Sequence, residues 1–463
     1  MLTYDLKKSP GVPLYEALYR CIRGDICGGV LREGEKLPSK RALAQNLEVS
    51  KITVEAAYAQ LLGEGYIRSV EKVGYFVEKL PAAAQRPAPT VPAPPEREEE
   101  YLLDLTGSGP ERFPFSVWSR LQREVMLDLG EKLLPPLPNQ GARELRQAIA
   151  AHLAGFRGMT VDPENIIIGA GTDFLYNLVV QLLGRDRVYA LEDPGYGKIR
   201  SIYTAAGVRW RGVPLDGEGV RPDLLGDAGV LHISPDHHFP TGRITSLRRR
   251  QALLRWAEEQ DGYLLEDEYD SEFRFDAHPL PALQSLDSGG RVLYLNTFSK
   301  SLAPSIRIGY LILPPGLMEQ FRSRLGFYSC TVSSFEQYTL ARFLSRGYFE
   351  KHINRMRKFY KSRRNRMISA LDQEGYTIRE EDAGLHFLLK VDTALSDEAL
   401  VTLWRERGIR VQALSSFYAH GAPPEEEHNL VICYAGIREE VLRERFPEGL
   451  PGIMPLPFAG NPV

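Results

Sequence analysis

Cysteine is scarce. The 463 residues contain only Cys21, Cys27, Cys330 and Cys433, with no CxxC pair and no metal-ligand spacing. That excludes a disulfide framework, leaves no metal site to expect, and reads as free thiols in a reducing compartment. Long apolar runs are missing too, and the opening Met1-Leu2-Thr3-Tyr4-Asp5 lacks the charged-then-apolar order of a secretory leader. The expectations are a cytoplasmic location and no membrane partner. Nor is there a large charge excess. A net charge of −3 argues against a protein that coats nucleic acid with its whole surface, while leaving local patches open. No internal repeat is visible.

What is present is a soluble globular composition, 43% hydrophobic and 25% charged, in a chain too long for one ordinary domain. Residues 80–100 break the pattern. The proline-rich run Pro81–Pro95 is followed by Glu96-Arg97-Glu98-Glu99-Glu100, which cannot bury a face and reads as an extended linker. It separates a unit of residues 1–79 from a unit of residues 101–463. In the larger unit, apolar β-like runs (Asn165–Gly169, Arg187–Leu191, Val230–Ser234, Tyr263–Glu266, Val292–Asn296) alternate with helical patterns. That alternation predicts an α/β fold with a mostly parallel sheet.

In the first unit, Leu14, Leu18, Ile22 and Ile26 recur at helical spacing. Ser39 or Pro38 then opens a second helix, and after the turn Glu48-Val49-Ser50 the N-capping Ser50 opens a third. Lys51 and Thr53 fall at the N-terminal end of that third helix, the end from which recognition helices present side chains to DNA. Tyr66–Val77 reads as a hairpin with Lys72 and Gly74 near its tip. The phrase LPSKRALAQNLEVSKITVEAAYAQLLGEGYI followed by VGYFV resembles the winged helix-turn-helix of the GntR superfamily. By that resemblance Lys36, Ser39, Lys40, Lys51, Thr53, Tyr58, Lys72 and Gly74 face a double-stranded DNA operator. Glu55 stands where many relatives carry arginine.

The second unit centres on Lys300, in Asn296-Thr297-Phe298-Ser299-Lys300-Ser301-Leu302-Ala303-Pro304-Ser305-Ile306-Arg307-Ile308-Gly309. A lysine amine suits a Schiff base with the aldehyde of pyridoxal phosphate. Thr297, Ser299 and the planar fork of Arg307 suit its phosphate. Four further motifs fall in a fitting order. Gly169-Ala170-Gly171-Thr172-Asp173 follows a strand and opens a helix, so its amides and the Thr172 hydroxyl can cradle a phosphate. Tyr196, after Glu192-Asp193-Pro194-Gly195, can stack on a pyridine ring. Phe239-Pro240-Thr241-Gly242 forms a loop after a strand. In Glu266-Asp267-Glu268-Tyr269-Asp270, Asp267 can keep the ring nitrogen protonated and Tyr269 can bond the phenolic oxygen.

Residues 101–455 resemble fold-type I aminotransferases. The whole chain, with phrases such as EDEYDSEFRF and TFSKSLAPSIRIGY, resembles the MocR/GabR-type transcriptional regulators. The resemblance implies a pyridoxal-phosphate-bound sensor and a head-to-tail homodimer in which the DNA-binding head of one chain lies over the other chain's core. Three departures stand out. Pro136 replaces a tyrosine that reaches the partner's cofactor phosphate, Val431 replaces the arginine that grips a substrate carboxylate, and Phe239 replaces an asparagine usual in enzymes. No arginine lies between Arg410 and Arg438. The expected function is therefore a regulator, not an enzyme, that senses pyridoxal phosphate or a small amine held by groups such as Arg112 or His386. The competing reading is an aminotransferase with an appended DNA-binding head; a cofactor-free relic is disfavoured by Lys300, Asp267, Tyr269 and Arg307. Lys351–Arg366 carries nine basic residues and no acid. It reads first as a solvated helix face, with auxiliary DNA contact as the alternative.

Overall fold

Serine side chains set two of the helices at the start of the chain. The computed structural model describes residues 2–4, 6, 12–79, 101–107, 112–275, 280–371, 376–380 and 384–437. The chain divides into two units, Met1–Glu98 and Glu99–Val463. The expected linker at 80–100 lies outside the described residues.

In the first unit α1 (Leu14–Cys27), α2 (Lys40–Asn46) and α3 (Lys51–Gly63) precede a hairpin of β1 (Ile67–Val70) and β2 (Gly74–Val77). The Ser39 hydroxyl accepts the Ala42 amide at 3.2 Å and the Ser50 hydroxyl that of Thr53 at 3.1 Å, satisfying amides a helix start leaves open. The core under these helices is built from Leu18, Ile22, Leu43, Val54, Ala57, Tyr58, Leu61 and Ile67. The hairpin is antiparallel, with Ile67 opposite Val77.

In the second unit a sheet of eight strands runs in the order Ile166–Gly169, Gly309–Ile312, Val292–Thr297, Tyr263–Glu268, Ala228–Ile233, Val188–Asp193, Arg209–Asp216, Gly219–Val220. The pairings from Val292–Thr297 through to Arg209–Asp216 are parallel. Gly309–Ile312 and the edge strand Gly219–Val220 pair antiparallel. Side chains alternate between the faces: Ile166 and Ile168 join one apolar cluster, Ile167 the other. Buried on both faces, the strands Ile166–Gly169, Val188–Asp193, Ala228–Ile233, Tyr263–Glu268 and Val292–Thr297 are the continuous apolar runs visible in the sequence.

A second, antiparallel sheet has the order Tyr376–Arg379, His386–Val391, Asn429–Cys433, Gln412–Ala413. The helix Thr172–Leu183 packs Leu175, Tyr176, Val179 and Leu182 inward. Among the described residues no helix is long and apolar enough to cross a membrane, and no group of three or more His, Cys, Asp or Glu is placed to hold a metal. In open α/β sheets ligands bind beyond the carboxyl ends of the parallel strands. Here those ends lead into Glu192-Asp193, Ser234, Asp267–Tyr269 and Thr297–Lys300.

Candidate functional site

The carboxyl ends of the strands enclose a cavity of about 340 Å³ whose walls include Thr172, Asp173, Tyr196, Asp267, Tyr269, Thr297, Ser299, Lys300 and Arg307. Apart from Gly171, which borders it through Arg307, every cofactor residue expected from the sequence is thus on one wall or another.

At the floor, Asp267 is 4% exposed. Its Oδ2 accepts the Tyr176 phenol and lies 3.2 Å from His232 Nε2. Its Oδ1 is buried with no hydrogen-bond partner among the described residues. A buried carboxylate oxygen left open is costly unless a donor arrives, and a pyridinium N–H is such a donor. Burial, then the Asp267 charge, pushes the Tyr176 phenol well above its usual range, so it stays a donor. Sequence reasoning found Asp267 but missed Tyr176 and His232.

At the opposite end, Gly171 has φ +80° and is the N-cap of the helix Thr172–Leu183. A Cβ there would sit 2.8 Å from the guanidinium carbon of Arg307, so only glycine lets Arg307 lie across the turn. Arg307 itself is left-handed, φ 49°. Its Nη2 lies 3.2 Å from Asp173 Oδ2, which also takes Lys198 Nζ at 2.8 Å. The Asp173 carboxylate therefore holds two cations rather than facing an anion itself. The Thr297 hydroxyl donates to Ser299 Oγ at 2.9 Å. Helix amides, two hydroxyls, Arg307 and Lys198 make a cradle suited to a phosphate. Nothing in the sequence motif singled out Lys198.

Between floor and cradle, Tyr196 is half exposed and meets Phe239 edge to face at 5.7 Å. Phe239 in turn contacts His386 at 5.0 Å and Phe417 at 5.3 Å, an aromatic wall. The Tyr269 hydroxyl lies 3.0 Å from His237 Nδ1, which is 2.9 Å from Asp270 Oδ2. The His237 ring fills the space beside Gly384, where a Cβ would lie 1.8 Å from its Cε1. Burial holds His386 well below the usual imidazole range, and its Nε2 donates to the Pro240 carbonyl at 3.1 Å. Burial pushes the Glu192 carboxyl up to about 8 and the Cys433 thiol up to about 12.

Val431 is buried with Leu388, Leu414, Phe417 and Cys433. An apolar cluster thus stands where a carboxylate-gripping guanidinium was sought. Arg200, which sequence reasoning did not single out, lines the cavity, but its Nη1 donates to the Phe417 carbonyl at 2.6 Å. His386 lines the cavity; Arg112 does not, and stacks over Phe359 at 4.2 Å. Pro136 is exposed and outside the cavity wall.

In the first unit Lys36, Ser39, Lys51 and Lys72 are exposed, and Lys40, Thr53 and Gly74 half-buried at the surface. Gly74, φ +137°, admits the Lys36 side chain, whose Cε would lie 3.1 Å from a Cβ there. Lys72 turns the hairpin tip with φ 61°. Tyr58 corrects the expectation that it faces DNA. It is fully buried, its hydroxyl donates to the Pro38 carbonyl at 3.0 Å, and its ring meets Tyr75 at 5.1 Å. Its place beside Val54, Ala57 and Leu61 on α3 makes it core.

The basic run falls on the helix Tyr348–Leu371 and does not form one solvated face. His352, Arg363 and Arg364 are buried, Arg363 donating to the Ala435 carbonyl at 2.9 Å. Lys358, Lys361 and Arg366 line a shallow surface groove.

Residues 109–445 match the family described as aminotransferase class I and II, and residues 14–77 that described as bacterial regulatory proteins, gntR family. The chain is 36% identical to the uncharacterized HTH-type transcriptional regulator YdeL of Bacillus subtilis (strain 168), over 96% of this chain and 97% of that one. It is 32% identical to the probable rhizopine catabolism regulatory protein MocR of Rhizobium meliloti, over 95% and 93% of the two chains. To the HTH-type pyridoxine biosynthesis transcriptional regulator PdxR of Corynebacterium glutamicum it is 32% identical over 91% and 92%. Among solved structures, the kynurenine aminotransferase of Pyrococcus horikoshii superposes with a TM-score of 0.65 at 26% identity, covering 77% of this chain and 90% of that one.

Proposed function

Because this chain belongs to the MocR-type transcriptional regulators, a GntR-family DNA-binding head joined to a pyridoxal-phosphate-binding aminotransferase class I and II unit, we propose that its large unit is a sensor with little or no transaminase turnover. Pyridoxal phosphate, when bound, supplies an aldehyde and an electron-withdrawing ring. The residues present fit it. Asp267 Oδ1, buried without a partner among the described residues, would take a ring N–H, and Tyr269, Lys300 and the Thr172, Thr297, Ser299 and Arg307 cradle line the same cavity, where they would meet the phenolic oxygen, the aldehyde and the phosphate. Tyr176 and His232 fix the Asp267 carboxylate so that its open oxygen stays on the cavity side.

The observation that carries the sensor reading is Val431. Transamination needs the substrate's Cα–H bond held perpendicular to the cofactor ring, and a bidentate guanidinium–carboxylate pair is the usual way to hold it. Here the position is apolar and Arg200 is engaged with a backbone carbonyl. An amino acid entering this cavity loses the partner of its carboxylate, a loss of several kcal/mol, or roughly a thousandfold in rate. The effector is then pyridoxal phosphate itself or a small amine that meets the aromatic wall of Tyr196, Phe239 and His386. The second unit also exposes Phe115, Leu127, Leu134 and Phe327 at 72–77% each, the sort of apolar surface a second copy covers. A head-to-tail homodimer acting on an operator in the cytoplasm is the assembly we infer.

The test uses the full chain loaded with pyridoxal phosphate. Common α-amino acids and 4-aminobutyrate are screened for multiple turnovers with a keto-acid acceptor, while operator binding is followed with and without the cofactor. Sensing predicts effector-dependent operator affinity without turnover. Sustained turnover with any α-amino acid would establish the enzyme reading instead. Lys300→Ala should abolish cofactor trapping by borohydride; trapping that survives would move the attachment elsewhere.

A further inference from the structure

α3 carries two side chains whose exposure the fold of the head does not explain. Ile52 is 76% exposed, although a β-branched residue is a mediocre helix former and this one adds nothing to the core. Glu55 lies three residues on and so on the same face. Its carboxylate sits 3.5 Å from Lys51 Nζ and 3.8 Å from Lys40 Nζ. A surface meant to meet a polyanion thus displays a carboxylate among its lysines. Helix stabilisation is a weak account of it: the Lys-before-Glu order is the poorer one for an i,i+4 pair, and exposed pairs contribute little.

We propose that Glu55 and Ile52 are the base-reading residues of this chain. Glu55 accepts a hydrogen bond from the N4 amino group of a cytosine in the major groove, and Ile52 packs on the methyl group of a thymine in an adjoining base pair. The proposal rests on the reading of α3 as the helix that enters the groove, and it adds which bases are read.

The chemistry selects cytosine. An ionised carboxylate only accepts hydrogen bonds. Major-groove edges offer two donors, cytosine N4 and adenine N6, and adenine sets the N7 acceptor beside its amino group, where it repels a carboxylate. Guanine O6 and N7 and thymine O4 are acceptors and repel it too. When Lys51 and Lys40 turn to backbone phosphates, Glu55 loses both its counter-charges and part of its water. Any base but cytosine then leaves a desolvated carboxylate unpaired, so selectivity comes mainly from rejection of the others. Ile52 has no polar atom to offer, and the thymine methyl is the one apolar group on the major-groove edges.

The experiment selects from a randomised duplex pool with the full-length, cofactor-loaded protein and sequences the bound fraction. Wild type, Glu55→Gln, Glu55→Ala and Ile52→Ala are compared, with cofactor absorbance and circular dichroism confirming that each is folded. The wild-type motif should contain a constrained cytosine in each half-site with a thymine close by. Glu55→Ala should relax the cytosine position alone, by about ten- to a hundredfold in relative affinity. Glu55→Gln should shift it toward adenine, whose N6 and N7 suit an amide. Ile52→Ala should relax only the thymine. Overall affinity is not the readout, because removing a negative charge strengthens binding to every sequence. A wild-type motif unchanged in both Glu55 variants would overturn the proposal while leaving α3 as the DNA-binding helix. If the wild type enriches no motif, sequence-specific DNA binding fails and this inference with it.

Discussion

Arg307 lies across the turn at Gly171 so closely that a Cβ on the glycine would fall 2.8 Å from the guanidinium carbon. The two residues are far apart in sequence, yet the cradle depends on both, one supplying open backbone and the other the cation. Gly171→Ala should therefore displace Arg307 and strain a backbone at φ +80°. We expect cofactor affinity to fall at least tenfold, read from visible absorbance during titration with pyridoxal phosphate. Unchanged affinity would mean that Arg307 does not hold the phosphate.

Much of this arrangement was legible in the sequence because local rules carry it. Ser39 and Ser50 cap helices through contacts three residues away, and strands buried on both faces must be continuous apolar runs. Asp267 lies at the carboxyl end of one such strand and Lys300 three residues beyond another. What stayed hidden depends on tertiary contacts. Tyr176 and His232 reach Asp267 across 91 and 35 residues, and Arg363 finds its carbonyl 72 residues away. Lys198 carries no local sign that it will pair with Asp173. Tyr58 is different. Val54, Ala57, Tyr58 and Leu61 follow the i, i+3, i+4, i+7 spacing of a core stripe, so its burial was readable and family resemblance overrode it.

That burial separates two kinds of variant in the head. Tyr58→Ala removes a fully buried ring and should destabilise the head by about 3–5 kcal/mol. Tyr58→Phe keeps the ring and loses only the bond to the Pro38 carbonyl, about 1 kcal/mol. Lys51→Ala and Lys72→Ala should leave thermal unfolding unchanged, weaken binding to all DNA sequences, and each lower the salt slope of log affinity by about 1. If Tyr58→Phe lost operator binding while unfolding like the wild type, the phenol would be a DNA contact after all.

Glu192 gives a pH dependence with a definite sign. Burial raises its carboxyl to about 8 in the folded protein, against about 4.5 as the ordinary value. Between those two values the folded state holds a proton that the unfolded state has released. Stability therefore falls as pH rises from about 4.5 toward 8, and levels off once the folded group is also ionised. The loss from this one group is on the order of a few kcal/mol. Glu192→Gln keeps an acceptor for the Ser234 amide and removes the titration. The melting-temperature difference between variant and wild type should widen in the variant's favour across that range. Parallel pH profiles would show that Glu192 is ionised in the folded protein.

Val431→Arg tests the sensor reading from the opposite side. Val431 is 2% exposed among Leu388, Leu414, Phe417 and Cys433, so a guanidinium introduced there enters an apolar cluster. Burying that charge unpaired should cost several kcal/mol and lower the melting temperature by several degrees. An α-amino acid supplies the missing anion. Millimolar amino acid should then restore much of the loss, since a ligand at a hundred times its Kd stabilises by about 2.7 kcal/mol. Val431→Ala, which opens a cavity without adding charge, should melt lower with no such rescue. Wild type should show no stabilisation by α-amino acids beyond what pyridoxal phosphate alone provides. If wild type and Val431→Arg respond equally to amino acids, the carboxylate is already being gripped by another cation. Arg200 is then the group to suspect, because it lines the cavity and would have to release the Phe417 carbonyl and its ion pair with Asp193. Loss of the response in Arg200→Gln would transfer the carboxylate role to it and restore the enzyme reading.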